Sequence, residues 1–540
     1  MLDWIYFDLE AYKRNMGLSF DRVAVIGAGV SGLAAARHLL DYGLDVTIYE
    51  RSSKPGGVWA YDERKPLESK YPSILPSVAG LYPDSDSDSQ GVTSQSLPLQ
   101  TEKLILKHAP PGPAYFGLTT NISTKLQEMK GHPWKEGTGD FVNVKVVGDY
   151  LKDYARRFHL EQALRYNTKI EAIEKVGSKW VVKSKLLNKA DGGNIEFVER
   201  EEIFDKVVVA SGHYHASRVP DIKGLKDWRE QYPERVMHSK VYRRPQEFAG
   251  QTVLLIGGGV SSTDIAREMN GIAKKVFQST RGGQFDLPLS FLPPRTERIG
   301  ECVSFEFEAS DKGRGIAHLK DGATLVGIDK VIICTGYHIS YPFLRRYHDD
   351  LTSPAEANET VLVTDGTQVH NLHKDIFYIP DPTLAFVGTA YYVSTFSLFE
   401  FQAIAVAAVF SGRANLPREE EMREEYRLKV IEKGFGRAFH ALNGREPEYV
   451  RELVDWINID AAASGGQKVE GHSEAWLKED EIKKEKLLER FEKQKQEELE
   501  KQKQSYRTYN LRGQGPLPTS EYRLFDGNGS KGKLEEQAVG

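Results

Sequence analysis

Cysteine is scarce in this chain of 540 residues, which contains only Cys302 and Cys334. Two cysteines are too few for a disulfide framework or a cysteine-rich zinc site, and they form no CxxC redox pair. We therefore predict no structural metal. Cys334 lies in the apolar run KVIICTGY, so we predict that it is a buried thiol.

The chain also lacks a strong charge bias and a long apolar run. A formal net charge of -5 argues against a general nucleic-acid-binding protein. The first residues, MLDWIYFDLEAYKRN, lack the basic-then-apolar order of a signal peptide. The best candidate for a membrane span, SLFEFQAIAVAAVFSG, is short and contains Glu400 and Gln402, so it predicts a buried helix. These absences predict a soluble, cytoplasmic protein without a transmembrane segment, and its length allows two or three domains.

Two glycine-rich loops are the most informative motifs that are present. VAVIGAGVSGLAAA and VLLIGGGVSSTDIA each follow an apolar, β-branched run and open a helix-like segment. In such a unit the glycines permit a tight turn, a close approach of the backbone to a pyrophosphate, and close packing of helix on strand. One such loop also occurs where a strand merely joins a helix, but two of them predict two nucleotides bound by one protein. The residues assigned to cofactor binding are Gly27, Ala28, Gly29, Val30, Ser31 and Gly32 in the first loop and Gly257, Gly259, Ser261, Ser262, Thr263 and Asp264 in the second.

The residues that close the second strand of each unit differ. Glu50 ends DVTIYE, where a carboxylate can accept hydrogen bonds from both ribose hydroxyls of FAD or NAD. The second unit has Thr280 and Arg281 at the corresponding place. A hydroxyl and a guanidinium favour a 2′-phosphate, which predicts NADP. The alternative for Arg281 is a solvated surface charge.

Two segments lack the patterning of a folded core. Residues 62–112 include the run YPDSDSDSQGVTSQS and are predicted to be a flexible surface insertion. The run KEDEIKKEKLLERFEKQKQEELEKQKQ favours a helix with mixed charges at i,i+4 spacing, and its apolar positions are too sparse for a coiled coil. It is predicted to be a solvated helix, with a partner-binding helix as the alternative.

Together these motifs resemble the flavin-containing monooxygenases, from about residue 20 to residue 415 outside the insertion. The resemblance is carried in order by GAGVSG, PGGVW, LTTN, VVVASGHY, MHSKVY, GGGVSSTDIA, STR, ICTGY and LAFVG followed by FEFQA. It implies the cofactors FAD and NADP(H). It also adds, as cofactor-binding residues, Gly57, Val58, Trp59, Thr120, Asn121, Ile170, Thr335, Gly336 and Tyr337.

The resemblance further implies the reaction. NADPH delivers a hydride to the flavin, O₂ adds to give a C4a-hydroperoxide, and its distal oxygen passes to a soft nitrogen or sulfur atom of a small molecule. It assigns Asn121 as the catalytic residue, because a neutral amide can hydrogen-bond the oxygen adduct without protonating it. The alternative is that Asn121 caps the following helix. His213 and His238 are interpreted as structural or nicotinamide-orienting groups.

The predicted fold class is α/β, with two Rossmann-like dinucleotide-binding domains and a charged helical C-terminal extension. Residues 20–213 and 329–460 form the two parts of the FAD-binding domain. The NADP-binding domain, residues 214–328, is inserted between them, and residues 461–540 form a charged helical or disordered tail.

One motif departs from the family pattern. The family sequence FxGxxxHxxx followed by an aromatic residue is matched here by YPERVMHSKVY, in which Tyr232 and Glu234 replace phenylalanine and glycine. This departure weakens assignment to a subfamily. Baeyer–Villiger oxygenation of a ketone, an NADPH oxidase that releases hydrogen peroxide, and a non-catalytic nucleotide-binding protein with an interacting C-terminal helix therefore remain alternatives. The sequence indicates no particular substrate, and an oligomer is possible.

Overall fold

A computed structural model describes residues 21–81, 97–189, 195–308, 313–464 and 468–489, together with residues 492 and 496. The helices described are α1 Val30–Asp41, α2 Leu97–His108, α3 Val144–Arg157, α4 Leu225–Gln231, α5 Val260–Glu268, α6 Thr395–Phe410, α7 Glu419–Lys433, α8 Glu446–Ser464 and α9 over residues 474–489. The strands described are β1 Arg22–Ile26, β2 Asp45–Tyr49, β3 Leu164–Arg165, β4 Thr168–Val176, β5 Lys179–Lys189, β6 Ile195–Phe204, β7 Lys206–Val209, β8 Ala216–Ser217, β9 Val236–His238, β10 Thr252–Ile256, β11 Lys275–Ser279, β12 Thr296–Ile299, β13 Cys302–Glu308, β14 Arg314–Leu319, β15 Thr324–Ile328, β16 Lys330–Ile333, β17 Tyr337–His338, β18 Leu372–His373, β19 Phe377–Tyr378 and β20 Leu384–Phe386.

The first unit is built on a seven-stranded sheet with the order β18-β19-β20-β7-β1-β2-β3. The strands from β20 to β3 run parallel, and β18 and β19 form an antiparallel edge. The central strands β1 and β7 have the sequences RVAVI and KVVV and are almost entirely buried, because helices α1 and α6 cover one face of the sheet and the β4-β5-β6 sheet covers the other. The first glycine-rich loop follows β1 directly, so it lies at the carboxyl edge of the sheet, where α/β proteins bind ligands.

The second unit is built on a five-stranded parallel sheet with the order β12-β11-β10-β16-β9. All of its strands lie in the chain between β7 and β18 of the first sheet, which confirms the α/β fold with one Rossmann-like unit inserted into another. Because β16 pairs with both β10 and β9, this sheet continues through Ile333, past the boundary predicted at residue 328. Antiparallel three-stranded sheets, β4-β5-β6 and β13-β14-β15, complete the architecture.

The two chain crossings between the units pair with each other. β8 and β17 form a short antiparallel ladder, in which Ala216 lies opposite His338. Beside it, the Gly336 carbonyl accepts a hydrogen bond from the Arg218 backbone N–H at 3.0 Å. The same carbonyl accepts from His238 Nε2 at 3.2 Å. The junction is therefore held by backbone hydrogen bonds and by one hydrogen bond from the His238 side chain.

Residues 62–81 and 97–112 pack against the rest of the protein more closely than their composition indicates. Ser73 pairs with Val219 of the second crossing through backbone hydrogen bonds of 2.9 and 3.1 Å. His108, at the end of α2, is buried and contacts the carbonyl of Asn167 at 2.9 Å. Ser73 and His108 thus contact the chain outside this segment, and the flexible insertion predicted over residues 62–112 stays a prediction. Residues 82–96, with the serine- and aspartate-rich run, lie outside the described residues.

Helix α6 is buried on nearly every side, which confirms the buried helix predicted for this segment. In the part of the chain that the structure describes, no helix combines the length and the apolarity needed to cross a membrane. The Glu400 carboxylate of α6 is 1% exposed and accepts hydrogen bonds from Arg37 Nη1 at 3.0 Å and from the Lys130 N–H at 2.6 Å. It also lies 3.0 Å from His38 Nε2, so one buried carboxylate joins α6, α1 and the segment before α3.

We expect Glu400→Ala to lower the free energy of unfolding by about 3 kcal/mol, because it removes the buried carboxylate that pairs with the Arg37 guanidinium. Thermal unfolding of the purified protein measures this as a lower transition temperature. Glu419→Ala is the matched control, since Glu419 pairs with Arg423 on the exposed surface of α7 and such pairs contribute about 0.5 kcal/mol. Equal transition temperatures for the two variants would contradict the assignment.

Candidate active site between the two nucleotide-binding units

One cavity of about 2520 Å³ lies between the two units, and both glycine-rich loops open into it. Most of the predicted site residues line this cavity. These are Gly27, Gly29, Val30, Ser31, Glu50, Gly57, Val58, Trp59, Asn121, Ile170, Gly257, Gly259, Ser261, Asp264, Thr280, Arg281, Thr335, Gly336 and Tyr337. The structure therefore brings the two predicted nucleotide sites into a single space.

Five predicted residues do not line the cavity and are buried behind its wall instead. Ala28, Gly32, Ser262 and Thr263 are buried where each loop continues into its helix. Thr120 is also buried, and its hydroxyl accepts a hydrogen bond from the Val142 N–H at 3.1 Å. In the structure these residues shape the loops that carry the cavity-lining atoms.

The first loop requires glycine on steric grounds. Gly27 has a φ of +105°, and a Cβ there would lie 2.7 Å from the Ala210 carbonyl oxygen. A Cβ on Gly32 would lie 1.8 Å from the carbonyl oxygen of Gly27, so α1 packs against the turn as closely as atoms allow. The PGGVW turn then covers this loop, since a Cβ on Gly57 would lie 2.9 Å from the Gly29 Cα. This close backbone approach fits a pyrophosphate held by backbone N–H groups at the start of a helix.

Glu50 is held rigidly at the end of β2. Its Oε2 accepts from the Ala28 N–H at 2.9 Å, and its Oε1 accepts from the Ser52 N–H at 2.8 Å. The carboxylate is 8% exposed and lines the cavity. Each oxygen keeps a further lone pair, so the geometry fits a carboxylate that accepts from ribose hydroxyls.

The second loop repeats this geometry but replaces the third glycine with Ser262. Gly257 has a φ of +123°, and a Cβ there would lie 2.5 Å from the Cys334 carbonyl oxygen. The Ser262 hydroxyl donates to the Gly259 carbonyl at 2.9 Å and accepts from Gln278 Nε2 at 2.8 Å. The serine is therefore a hydrogen-bonded part of this loop, whereas the first loop has no room for a side chain at Gly32.

At the end of β11, only one of the two predicted 2′-phosphate groups is available to a ligand. The Thr280 hydroxyl hydrogen-bonds Asp286, whose Oδ2 also accepts from the Gly283 N–H at 2.9 Å. Arg281 is exposed and lines the cavity, and among the described residues no carboxylate lies within ion-pair distance of its guanidinium. Arg281 is therefore the group that fits the 2′-phosphate.

Asn121 is exposed in the cavity, and its side chain forms no hydrogen bond with any residue that the structure describes. The following short helix, Thr124–Leu126, is capped by Ser123, whose hydroxyl accepts from the Lys125 N–H at 3.3 Å. The alternative role for Asn121 as a helix cap is thus taken by Ser123. The amide of Asn121 is left to face the cavity.

The two candidate histidines are neutral at pH 7. Burial lowers the pKa of His213 to about 4 and that of His238 to about 3. His238 Nδ1 accepts from the Lys240 N–H at 3.1 Å, so its proton is on Nε2 and is donated to Gly336. Tyr242 of the same motif donates to Glu268 of α5 at 2.7 Å. Both ring nitrogens of His238 are thus occupied by backbone groups, which is compatible with the structural or nicotinamide-orienting role predicted for it.

Both cysteines line the cavity as unpaired, buried thiols, as predicted for Cys334. Burial raises the pKa of Cys302 to about 12 and raises that of Cys334 further. Both therefore stay protonated and unreactive at neutral pH.

The C-terminal segment also reaches the cavity, which the sequence did not predict. Trp476 of α9 is buried, donates from Nε1 to the Leu126 carbonyl at 3.2 Å and stacks on His472 with a ring separation of 3.5 Å. Beyond it, Ile482 and Lys483 line the cavity. Most side chains of residues 474–489 are exposed or half-exposed, as a solvated helix requires, but Trp476 docks the helix against the segment that follows Asn121.

Arg281→Gln is expected to weaken NADP⁺ binding about tenfold, because it removes a charge-assisted hydrogen bond to the 2′-phosphate, and to leave NAD⁺ binding unchanged. Titrations of the purified protein with each nucleotide measure the two dissociation constants. Arg295→Gln is the matched control, since Arg295 is exposed and does not line the cavity. A parallel loss of affinity for both nucleotides would argue against a 2′-phosphate contact.

Trp476→Ala is expected to lower the free energy that docks α9 by about 3 kcal/mol, the usual cost of deleting a buried tryptophan side chain. Hydrogen exchange followed by mass spectrometry should show faster exchange in residues 474–489 and in residues 121–130. Leu488→Ala is the control, since Leu488 is 42% exposed on the same helix. Unchanged exchange in residues 121–130 would show that the two segments are independent.

Comparisons with known proteins agree with this geometry. Residues 111–290 and 306–462 match the family described as flavin-binding monooxygenase-like, and residues 25–75 match an NAD(P)-binding Rossmann-like domain. The flavin-containing monooxygenase ustF2 of Aspergillus flavus is 43% identical over 482 residues, which cover 84% of this chain and 95% of that protein. The flavin-containing monooxygenase iboF of Amanita muscaria is 31% identical, with 86% and 93% covered.

The solved structures include an S-allyl-L-cysteine S-oxygenase from Allium sativum. It is 27% identical, covers 87% of this chain and 94% of its own, and has a TM-score of 0.61. The family match covers more than half of the chain, and the relatives cover most of it. The resemblance noted in the motifs is thereby confirmed: this chain belongs to the flavin-containing monooxygenases and is a monooxygenase that uses FAD and NADP(H).

Proposed function

We propose that this monooxygenase transfers one oxygen atom of O₂ to a soft nucleophilic nitrogen or sulfur atom of a small molecule. The observation that carries the proposal is Asn121, which presents an unpartnered amide to the cavity that both glycine-rich loops share. The similar structure from Allium sativum is an S-allyl-L-cysteine S-oxygenase, which supports sulfur as the acceptor.

Each of the two nucleotides is assigned its own set of binding residues. In this proposal Gly27, Gly29, Glu50 and Gly57 hold FAD, while Gly257, Gly259, Ser261 and Arg281 hold NADP(H). We also propose that residues 20–213 and 334–460 form the FAD-binding domain around an NADP-binding domain that ends with β16. FAD, when bound, supplies the redox and oxygen-activating chemistry.

The residues of the chain control protons. His213 and His238 are neutral, and the cysteines are protonated, so these four groups offer no strong acid and no thiolate to the oxygen chemistry. The Asn121 amide donates a hydrogen bond to a bound oxygen species without giving up a proton. The apolar side chains of Val58, Trp59 and Phe399 line the same cavity.

For a thioether the reaction balances as R–S–R′ + O₂ + NADPH + H⁺ → R–S(O)–R′ + NADP⁺ + H₂O. One oxygen atom forms the S–O bond, the other leaves as water, and the nicotinamide hydride supplies both electrons. The test is to measure NADPH consumption, O₂ consumption and sulfoxide together, with S-allyl-L-cysteine and methyl phenyl sulfide as probes and cyclohexanone as the ketone probe. Equal amounts of NADPH consumed and sulfoxide formed are expected. Hydrogen peroxide equal to NADPH with every probe, or lactone as the main product, would overturn the proposal.

Asn121→Ala is expected to lower the rate of sulfoxide formation about 100-fold, because it removes a positioned hydrogen-bond donor from the oxygen-transfer step. Flavin reduction by NADPH should keep its rate, and hydrogen peroxide should replace sulfoxide as the product. Stopped-flow absorbance and product analysis measure the two half-reactions separately. Asn415→Ala is the control, since Asn415 is exposed and lies away from the cavity wall. Equal losses in both half-reactions would contradict a specific role for Asn121.

A further inference from the structure

Arg437 faces the cavity without an acidic partner. Its guanidinium lies against the chain crossing, since a Cβ on Gly336 would be 2.4 Å from Arg437 Nη2. Among the described residues no carboxylate comes within ion-pair distance of it, and it forms no hydrogen bond with them. Burial lowers the pKa of the nearby Arg218, and the charges of Arg437 and Arg281 lower it further, while the Asp365 carboxylate opposes them in part. Arg437 is thus an unpaired cation that repels a second cation, Arg218, beside the same cavity. We expect such a cation to have an anionic ligand.

The segment that carries Arg437 is fixed by a buried ion-pair network. His440 donates from Nδ1 to the Asp375 carboxylate at 2.9 Å and accepts from the Val369 N–H at Nε2, also at 2.9 Å. Lys429 Nζ lies 2.5 Å from the same carboxylate. Burial opposes ionisation of Asp375, but Lys429 and His440 hold its pKa below the ordinary range. Asp375 and His440 are almost completely shielded from solvent, so they position the segment rather than act on a ligand.

The same segment fixes two tyrosines beside Arg437. The Tyr391 N–H donates to the His440 carbonyl at 3.3 Å, and the Tyr391 carbonyl accepts from the Leu442 N–H at 3.2 Å. Tyr392 follows with a φ of +57°, a left-handed conformation that costs energy for a residue with a large side chain. This strain turns the Tyr392 ring toward Phe285, with ring centroids 6.2 Å apart and nearly parallel planes.

The result is an aromatic recess with one cation. Tyr392 is 37% exposed and Tyr214 45% exposed, and both line the cavity with Phe285 and Tyr391. The Arg437 Cζ lies 5.9 Å from the centre of the Phe285 ring. Apolar faces with one guanidinium match a small organic molecule that carries a carboxylate, because the rings cover its body and the guanidinium binds two oxygens in one plane.

We propose that Arg437, Tyr392, Tyr214 and Phe285 form a substrate subsite that binds the carboxylate of an organic acid whose nitrogen or sulfur atom is oxygenated. This inference rests on the proposed function for the oxygenated atom, but the subsite itself is defined by binding. Arg437 then selects carboxylates over neutral molecules of the same shape, while Arg281 binds the NADP(H) 2′-phosphate.

The test measures binding, so it does not depend on turnover. The probes are 4-(methylsulfanyl)benzoate and its neutral amide, titrated by calorimetry into the FAD enzyme with NADP⁺ bound. The wild type should bind the acid about tenfold more tightly than the amide, since one charge-assisted hydrogen-bonded contact is at stake. Arg437→Gln should abolish this preference, and Arg437→Lys should keep part of it because the charge remains.

Arg445→Gln is the matched control. Arg445 follows in the same segment and pairs with Glu432 at 2.7 Å, and it does not line the cavity. This variant should keep the full preference for the acid. Flavin content and unfolding temperature show whether a variant has misfolded. If Arg437→Gln misfolds, Arg437→Lys takes its place in the comparison with the wild type.

Three results would overturn the subsite. The wild type could bind the acid and the amide equally or bind neither probe. Arg437→Gln could keep the preference for the acid. Arg437→Gln could instead weaken NADP⁺ binding tenfold and leave the probes unaffected, which would assign Arg437 to the cofactor. A failure of the oxygenation assay with intact acid preference would count against the proposed function alone.

Discussion

The carbonyl of Gly336 is the acceptor on which the arrangement of the two units depends. It receives the Arg218 N–H from one chain crossing and the Nε2–H of His238 from the second unit. Because His238 is neutral and its Nδ1 is occupied by a backbone N–H, this contact has only one proton arrangement. The crossings are thereby fixed against each other, and the cavity between the two glycine-rich loops has walls of defined position.

The local parts of the fold could be predicted from the sequence, because they follow from neighbouring residues. A glycine at Gly27 or Gly257 is required by a positive φ within its own turn, and Glu50 takes its place from the strand that it ends. The features that the sequence did not reveal depend on contacts between segments that are far apart in the chain. Trp476 meets Leu126 across 350 residues, and nothing near α9 in the sequence marks that contact. Arg437 is likewise brought to the cavity by His440 and Asp375, which lie 65 residues apart in the chain.

Two arginines that line the cavity differ in their pairing from an arginine in the core. The exposed arginines Arg281 and Arg437 have no acidic partners among the described residues, whereas the buried Arg37 is paired with Glu400. Unpaired guanidinium groups beside a cavity repel one another. The free-energy cost of this repulsion is removed when phosphates or carboxylates bind. The Asn121 side chain that faces the cavity is a neutral amide without a hydrogen-bond partner among the described residues. The same cavity thus combines unpaired guanidinium groups with an unpaired neutral amide.

The C-terminal segment changes how the charged tail should be regarded. Its lysines and glutamates give α9 the composition of a solvated helix, yet Trp476 and the buried Asp480 attach it to the core. Asp480 lies 2.9 Å from both Lys483 and Lys484, so the helix neutralises its own buried carboxylate and orients Lys483 at the cavity. The docked face also contacts the segment that follows Asn121. Removing the whole tail would therefore disturb the active site itself, and a deletion intended to separate catalysis from partner binding has to begin after residue 489.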